Sequence, residues 1–350
     1  MLEKRSRSLL MAACLLAWPS LLTSQEDQPR ARQQPYQTIG EVIRLDPRLD
    51  QLLAEDARLE IITSGFDWSE GPVWDASQDR LLFSDIPRNA VYAWNETEDL
   101  SVFLQPSGFT GEQFDGREPG SNGLAIDSEG HLLLCQHGDR RVARLAADQS
   151  SFVTLADAYR GDRLNSPNDL CSDSHGNLFF TDPPYGLPYN TAQELPFQGV
   201  YRLTPSGQLT LLTKELYRPN GIALSPDEKT LYVASSHHEQ PFIMEYPLLD
   251  DDSLGSGRIF FDSSPLRQNG MRGSNDGLKT DVHGNVWATT AGGLAVLSPK
   301  GELLGHLLTT RLTANCAFGG EDGKTLFLTA DDLILRIETK VRGYSPKRTD

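Results

Sequence analysis

Six positions in the chain could act together. Glu70, Asn122, Asn168, Asn220, Asp276 and Cys316 each stand one residue before Gly, Asp or Ala, at the head of a short apolar run. Five of the six offer a side-chain oxygen. Two carboxylates with two or three amide carbonyls would make a hard, oxygen-only site, which suits Ca²⁺ with its six to eight oxygen ligands. Cys316 is the only soft donor in the set, so zinc or copper is a poor match. Taken singly, any Asn-Gly or Asp-Gly pair reads as a hairpin turn. Recurrence at one register argues against that reading, because turns do not demand one residue type at one repeated position.

The elements that must position these residues are repeats. The aligned segments begin "SEGPVW", "SNGLAI", "PNDLCS", "PNGIAL", "NDGLKT" and "NCAFGG". Each runs from a polar residue through a short strand and an Asp-containing turn into a second apolar strand, and a third strand often follows. Their third positions, Gly71, Gly123, Asp169, Gly221, Gly277 and Ala317, lie 52, 46, 52, 56 and 40 residues apart. That spacing fits a four-stranded propeller blade, and no comparable stretch shows a helical period. The pattern predicts an all-β fold, a six-bladed β-propeller over 55–338 whose first strands line a central channel. The segment "LEIIT" (59–63) is expected to join the last blade and close the ring, leaving no open edge. Residues 25–54 read as a polar arm with a short helix in "DPRLDQLLAED", and 339–350 as a frayed tail. The D-x-x-G segments at Asp127–Gly130, Asp173–Gly176 and Asp281–Gly284 read as ordinary hairpin turns.

Composition narrows the function. The 32 basic and 48 acidic side chains give a formal charge of −16, so nucleic acid and anionic membranes are unfavourable partners. Residues 1–24 carry a basic start and an apolar run too short and Pro-interrupted to span a bilayer, which reads as a secretory signal. A periplasmic or secreted protein, free of the membrane once the signal is removed, is expected. Cys135, Cys171 and Cys316 then remain, and their spacing forms neither a disulfide framework nor a zinc motif.

The ordered motifs "SEGPVW", "HGDRRV", "LNSPNDL", "FTDPPYG", "PNGIALSPD" and "DGLKTDVHGNVW" resemble the senescence marker protein/regucalcin and gluconolactonase family, above all its bacterial gluconolactonase branch. The similarity covers about residues 55–338. It implies a divalent metal, commonly calcium, held by Glu70, Asn168, Asn220 and Asp276, the first and last of which flank the amide pair. It also implies that Asp276 is the catalytic acid/base in hydrolysis of a sugar lactone. The vertebrate members place an arginine two residues before the first asparagine, where this chain has Ser166, so recognition of the sugar acid is expected to differ. Asn122 has no ligand role in the best-known members and is expected either to support a ligand from behind or to contact the substrate.

Lactone hydrolysis needs an electrophile at the ring carbonyl and an activated water. Three further residues are candidate substrate contacts. His137 ends the second strand of the second blade, Asp169 adjoins Asn168, and Tyr185 sits in the rigid "DPPYG" loop. Their bland readings are a hydrogen-bonding turn histidine, a strand-start acid and a loop residue held by Pro and Gly. The long connections 104–121 and 261–274 lead into ring residues and are expected to border the channel mouth. Two rivals share the scaffold: hydrolysis of aryl esters or phosphotriesters, as in relatives resembling diisopropylfluorophosphatase or paraoxonase, and a non-catalytic interaction platform.

Overall fold

The structure, a computed structural model, describes residues 35–250 and 253–346. The expected secretory signal lies outside the described residues. Among these residues no helix is long and apolar enough to cross a membrane.

Six antiparallel sheets follow one another along the chain and make the six-bladed β-propeller. Their inner strands are Ser69–Asp75, Ser121–Ile126, Leu170–Ser172, Pro219–Leu224, Leu278–Thr280 and Thr313–Gly319, in blades I to VI. Alternation along each strand sends one face into an apolar layer between neighbouring blades. Trp94, Phe83 and Phe327 fill the seam between blades VI and I, and Phe180 and Tyr201 fill another in blade III. The D-x-x-G segments are turns, as expected. Gly130, Gly176 and Gly284 have φ of +86°, +80° and +81°, and each donates its N–H to the carbonyl of the aspartate three residues earlier.

Ring closure uses the N-terminal strand. Leu59–Ser64 pairs with Leu333–Glu338, the third strand of blade VI. Closure goes further than the sequence suggested. Gln37–Ile39 pairs with Leu59–Ser64, and Glu41–Arg44 adds a fifth strand to blade V along Leu303–Leu308. The short helix is a 3-10 turn, Pro47–Gln51, whose Asp46 accepts the Arg48 N–H. It buries Leu49 completely, together with the neighbouring Leu53. Much of the segment read as an arm is thus woven into two sheets. Likewise the stretch from 339 is not frayed over its described part. Thr339 donates its hydroxyl to the carbonyls of Lys324 and Val341, and the Tyr344 N–H reaches the Thr280 carbonyl.

Candidate active site

The inner strands bring Glu70, Asn122, Asn168 and Asn220, all at most 5 % exposed, to the channel, with Asp276 half-buried beside them. Backbone ties fix the ring. A hydroxyl on the second strand of one blade donates to the ring carbonyl of the next, from Ser84 to Asn122 (2.8 Å), Thr181 to Asn220 (2.7 Å) and Thr289 to Ala314 (3.1 Å). The N–H of the following residue makes a second tie, from Gly123 to the Asn168 carbonyl (2.7 Å) and from Gly277 to the Ala314 carbonyl (2.8 Å).

These ties correct the reading of blade VI. Ala314, not Cys316, occupies the sixth ring position, and Asn315 takes the place held elsewhere by Gly71, Gly123, Asp169, Gly221 and Gly277. Cys316 pairs across its sheet with Leu328, the register at which the other blades carry Leu124, Leu170, Ile222 and Leu278. Its thiol donates to the Trp287 carbonyl (3.5 Å) inside an apolar cluster. It is a core residue that does not face the axis, and the misalignment arose because Ala314 carries no polar signal while Asn315 beside it imitates the repeated polar residue.

The same ties explain two of the glycines. A Cβ on Gly221 would stand 2.1 Å from the Asp276 carbonyl oxygen, and one on Gly123 2.7 Å from that of Asn168. Backbone atoms cannot step aside there, so the close approach requires glycine. We expect Gly221→Ala to destabilise the protein by about 1–3 kcal/mol through overpacking and to displace Asp276. A melting temperature and turnover equal to the parent's in that variant would contradict the close approach.

The donor set is short of partners. Asn122 Oδ1, Asn168 Oδ1, Asn220 Oδ1 and Asp276 Oδ1 are buried and have no hydrogen-bond donor in the protein. Glu70 uses Oε2 to accept the Gly71 N–H (2.8 Å). Buried polar atoms are rarely left unpaired, and a cluster of oxygens without donors fits a cation. Electrostatics agree. Burial raises the pKa of Glu70, and the charge of Asp169 adds to the rise. Burial also raises Asp276, with Glu70, Asp169 and Glu118 pushing the same way. A positive ion among them would offset the cost of burying these charges and the repulsion between them.

Of the other expected residues, His137 heads a turn that the Arg140 N–H closes on its carbonyl, and it is completely buried, so it is no surface histidine. Its Nδ1 stands 2.9 Å from Glu118 Oε2, off the hydrogen-bonding direction, and Nε2 has no protein partner. Gly186 packs directly on its ring. Tyr185, next in that loop, bonds through its hydroxyl to Ser236, and the Arg218 guanidinium lies 5.6 Å over its ring. Burial raises the Tyr185 pKa, and Asp276 and Glu118 contribute, so this loop faces the same acidic centre. Asp169 lies one residue below the ring, its Oδ2 3.5 Å from Asn315 Nδ2 and 3.9 Å from Lys279 Nζ.

Sequence reasoning missed Glu118, Arg218, Asn315 and Lys279. Glu118 comes from the long 104–121 connection, whose Asp115 also accepts the Tyr189 N–H and the Asn190 amide. The second long connection contains a short helix, Ser264–Gln268, and ties to Asn275 through Ser263. A second acidic cluster, Asp127, Glu129 and His131, brings three ligand atoms within 4.8 Å. Asp127 Oδ1 there already accepts the N–H groups of Glu129 and His131, which is a turn's work. A groove of about 860 Å³ beside these turns contains none of the ring residues.

A hydrolase of the six-bladed propeller class is what this fold and ring define. Residues 68–332 match the family described as SMP-30/gluconolactonase/LRE-like region, and the chain belongs to that family. It is 39 % identical to the gluconolactonase of Zymomonas mobilis subsp. mobilis over 317 residues, covering 87 % of this chain and 88 % of that one. It is 34 % identical to the 6-deoxy-6-sulfogluconolactonase of Pseudomonas putida, covering 75 % and 82 %. Among solved structures, a gluconolactonase from Xanthomonas campestris superposes with a TM-score of 0.76 at 32 % identity, over 88 % of this chain and all of that one. The protein is an enzyme of the lactonase class, and its family suggests a divalent metal.

Proposed function

We propose that the enzyme hydrolyses sugar lactones in a divalent-cation site, most simply for Ca²⁺, held by Glu70, Asn168, Asn220 and Asp276. The observation that carries this is the set of donorless oxygens of Asn122, Asn168, Asn220 and Asp276 around one channel. A cation bound there would polarise the lactone carbonyl and offset the negative charge that develops on it.

The chain's own groups supply the rest. Of the two ring carboxylates, Glu70 accepts the Gly71 N–H while Asp276 keeps a donorless Oδ1, and it is Asp276 that removes a proton from the attacking water. As the ring C–O bond breaks, that proton passes to the leaving alkoxide, and the product is the open hydroxy acid. Burial and the neighbouring carboxylates raise the pKa of Asp276, and a cation bound beside it would oppose that rise, leaving a weak base suited to a reactive lactone. Asn122 and His137 Nε2 offer polar atoms to the sugar hydroxyls, and Tyr185, fixed by Ser236 and Arg218, forms one wall. Asp169 acts from beneath, through Asn315 and Lys279, and is not itself in the reaction. The sugar character of the substrate draws support from the named activities of the Zymomonas and Pseudomonas relatives.

Assays of purified protein on glucono-δ-lactone and on paraoxon, each with and without EDTA, test the reading. Lactone turnover at least 100-fold above paraoxon turnover, lost with EDTA and restored by added Ca²⁺, is expected. Chelator-insensitive turnover, or a preference for paraoxon, would move the assignment to the ester and phosphotriester class.

A further inference from the structure

Arg218 differs from other arginines of the chain. Arg80, Arg88, Arg140 and Arg141 each reach a carboxylate at 3.0 Å or less. Among the described residues no carboxylate pairs with the Arg218 guanidinium, and no hydrogen bond uses it. Carboxylates are plentiful in a chain of net charge −16, so the bare cation does not reflect a shortage of partners. What it meets are aromatic rings, its Cζ lying 5.6 Å from the ring centre of Tyr185 and 5.8 Å from that of Tyr217. Ring faces attract the charge, yet they offer no oxygen to the N–H groups along the guanidinium edge. Tyr217 is itself exposed, and His237 meets its ring edge-on at 4.9 Å. His237 Nδ1 is buried and has no partner either.

The guanidinium is carried on a fixed frame at the channel. Arg218 stands two residues before the ring residue Asn220. Its N–H donates to Gln198 Oε1 (2.6 Å), and its carbonyl accepts the Ser236 N–H (3.1 Å). Ser236 in turn bonds the Tyr185 hydroxyl. Ser166 pins the Tyr185 loop, donating to the Pro183 carbonyl (2.6 Å) and accepting the Gly186 N–H (2.9 Å). Beyond burial, the charges of Asp276 and Glu118 act on the Tyr185 hydroxyl, so this frame borders the ring.

We propose that Arg218 is a specificity-determining residue, which binds an oxyanion that the lactone carries away from its ester: a phosphate, sulfonate or carboxylate. A guanidinium presents parallel N–H groups to two oxygens of such a group, and its flat faces stay free to lie against rings. A neutral sugar makes no comparable use of an unpaired cation. The acid-rich channel repels an anion as a whole, so a negatively charged lactone needs a local positive group at its far end. His237 Nδ1, which shares Tyr217 with Arg218 as a neighbour, offers a second polar contact.

This inference rests on the sugar-lactone reading above, and the assays tell the two apart. The ratio kcat/KM is measured for two matched pairs of substrates. Glucono-δ-lactone is paired with 6-phosphoglucono-δ-lactone, and glucono-γ-lactone with glucaro-1,4-lactone, which carries a carboxylate. The parent is expected to favour the anionic member of at least one pair by about tenfold or more, as hydrogen bonds to a charged group allow. The pair that shows the preference identifies the anion. Arg218 holds φ at +55°, a left-handed conformation that asparagine adopts readily, so Arg218→Asn removes the charge without a clash in the backbone. That variant is expected to lose the preference, chiefly through a higher KM for the anionic lactone, and Arg218→Lys, which keeps the charge without the fork, to retain part of it. A purely structural role, as a support for Tyr185, would weaken both members of a pair alike and leave their ratio unchanged. The parent's preference is read without any variant, so a variant that fails to fold does not stop the test. A parent that favours the neutral lactones, or a preference unmoved in Arg218→Asn, overturns the role of Arg218. A parent inactive on every one of these lactones removes the sugar-lactone reading, and this inference with it.

Discussion

Replacing Asp276 by Asn is expected to lower kcat for lactone hydrolysis by about 10²–10⁴-fold, the usual contribution of general acid–base catalysis, while the protein stays folded. The amide keeps the shape and one oxygen of the carboxylate, so the ring geometry survives. What it loses is the ability to take a proton from water. Asp276→Ala removes the oxygen as well and is expected to weaken cation binding further. Glu70→Gln differs in kind. Glu70 is tied to the Gly71 N–H, and its loss of charge should lower cation affinity more than the turnover measured at saturating cation. Steady-state kinetics across a Ca²⁺ titration separate the two classes. Asp276→Asn turnover within threefold of the parent at saturating Ca²⁺ would falsify the acid/base role.

Cation binding is expected to raise the melting temperature, and by more as pH rises from about 5 to about 8.5. The sign follows from the acids in the ring. Burial, the largest cause, pushes Glu70 from the ordinary 4.5 up to about 8 in the folded protein, and Asp276 moves in the same direction. Between those values the metal-free folded state holds protons that the unfolded chain has released, so the stability these groups contribute is lost as pH climbs through the window. A cation binds only the deprotonated ring, so its affinity grows as those protons leave. Stabilisation by a ligand follows its affinity. The readout is the difference in melting temperature with and without Ca²⁺, in which groups far from the site cancel. His306, whose pKa burial lowers to about 4, is one such group. A difference that stays flat over this range, or shrinks, contradicts cation binding by these carboxylates.

The blades were legible because each repeats a local signal: the polar-small pair, the Asp-x-x-Gly turn and a run such as "LFFTD" or "LYVAS". Glu70, Asn168, Asn220 and Asp276 were legible for the same reason, since a repeated register turns distant positions into neighbours. The register failed in blade VI, where the ring residue is Ala314, two positions before Cys316. A small residue without chemistry leaves no trace of its role. Glu118 was not legible because it belongs to no repeat; a loop that pairs with a distant loop through Asp115 and Tyr189 has no local signature. The strands at 37–44 were missed for another reason. "QTIGEVIR" is too short and polar to declare itself, and only pairing with Leu59–Ser64 and Leu303–Leu308 fixes it as strand.

Pairing of Leu59–Ser64 with Leu333–Glu338 joins a strand made before the first blade to one made in the sixth. While the polypeptide is still emerging from the ribosome, that early segment has no partner, and its hydrogen bonds must wait for synthesis to approach the final strand. Blades can form one by one as they appear, because their own contacts are local. The circle cannot shut until Leu333–Glu338 has emerged, so a chain interrupted before residue 333 exposes two unpaired flanks that the closed ring never shows.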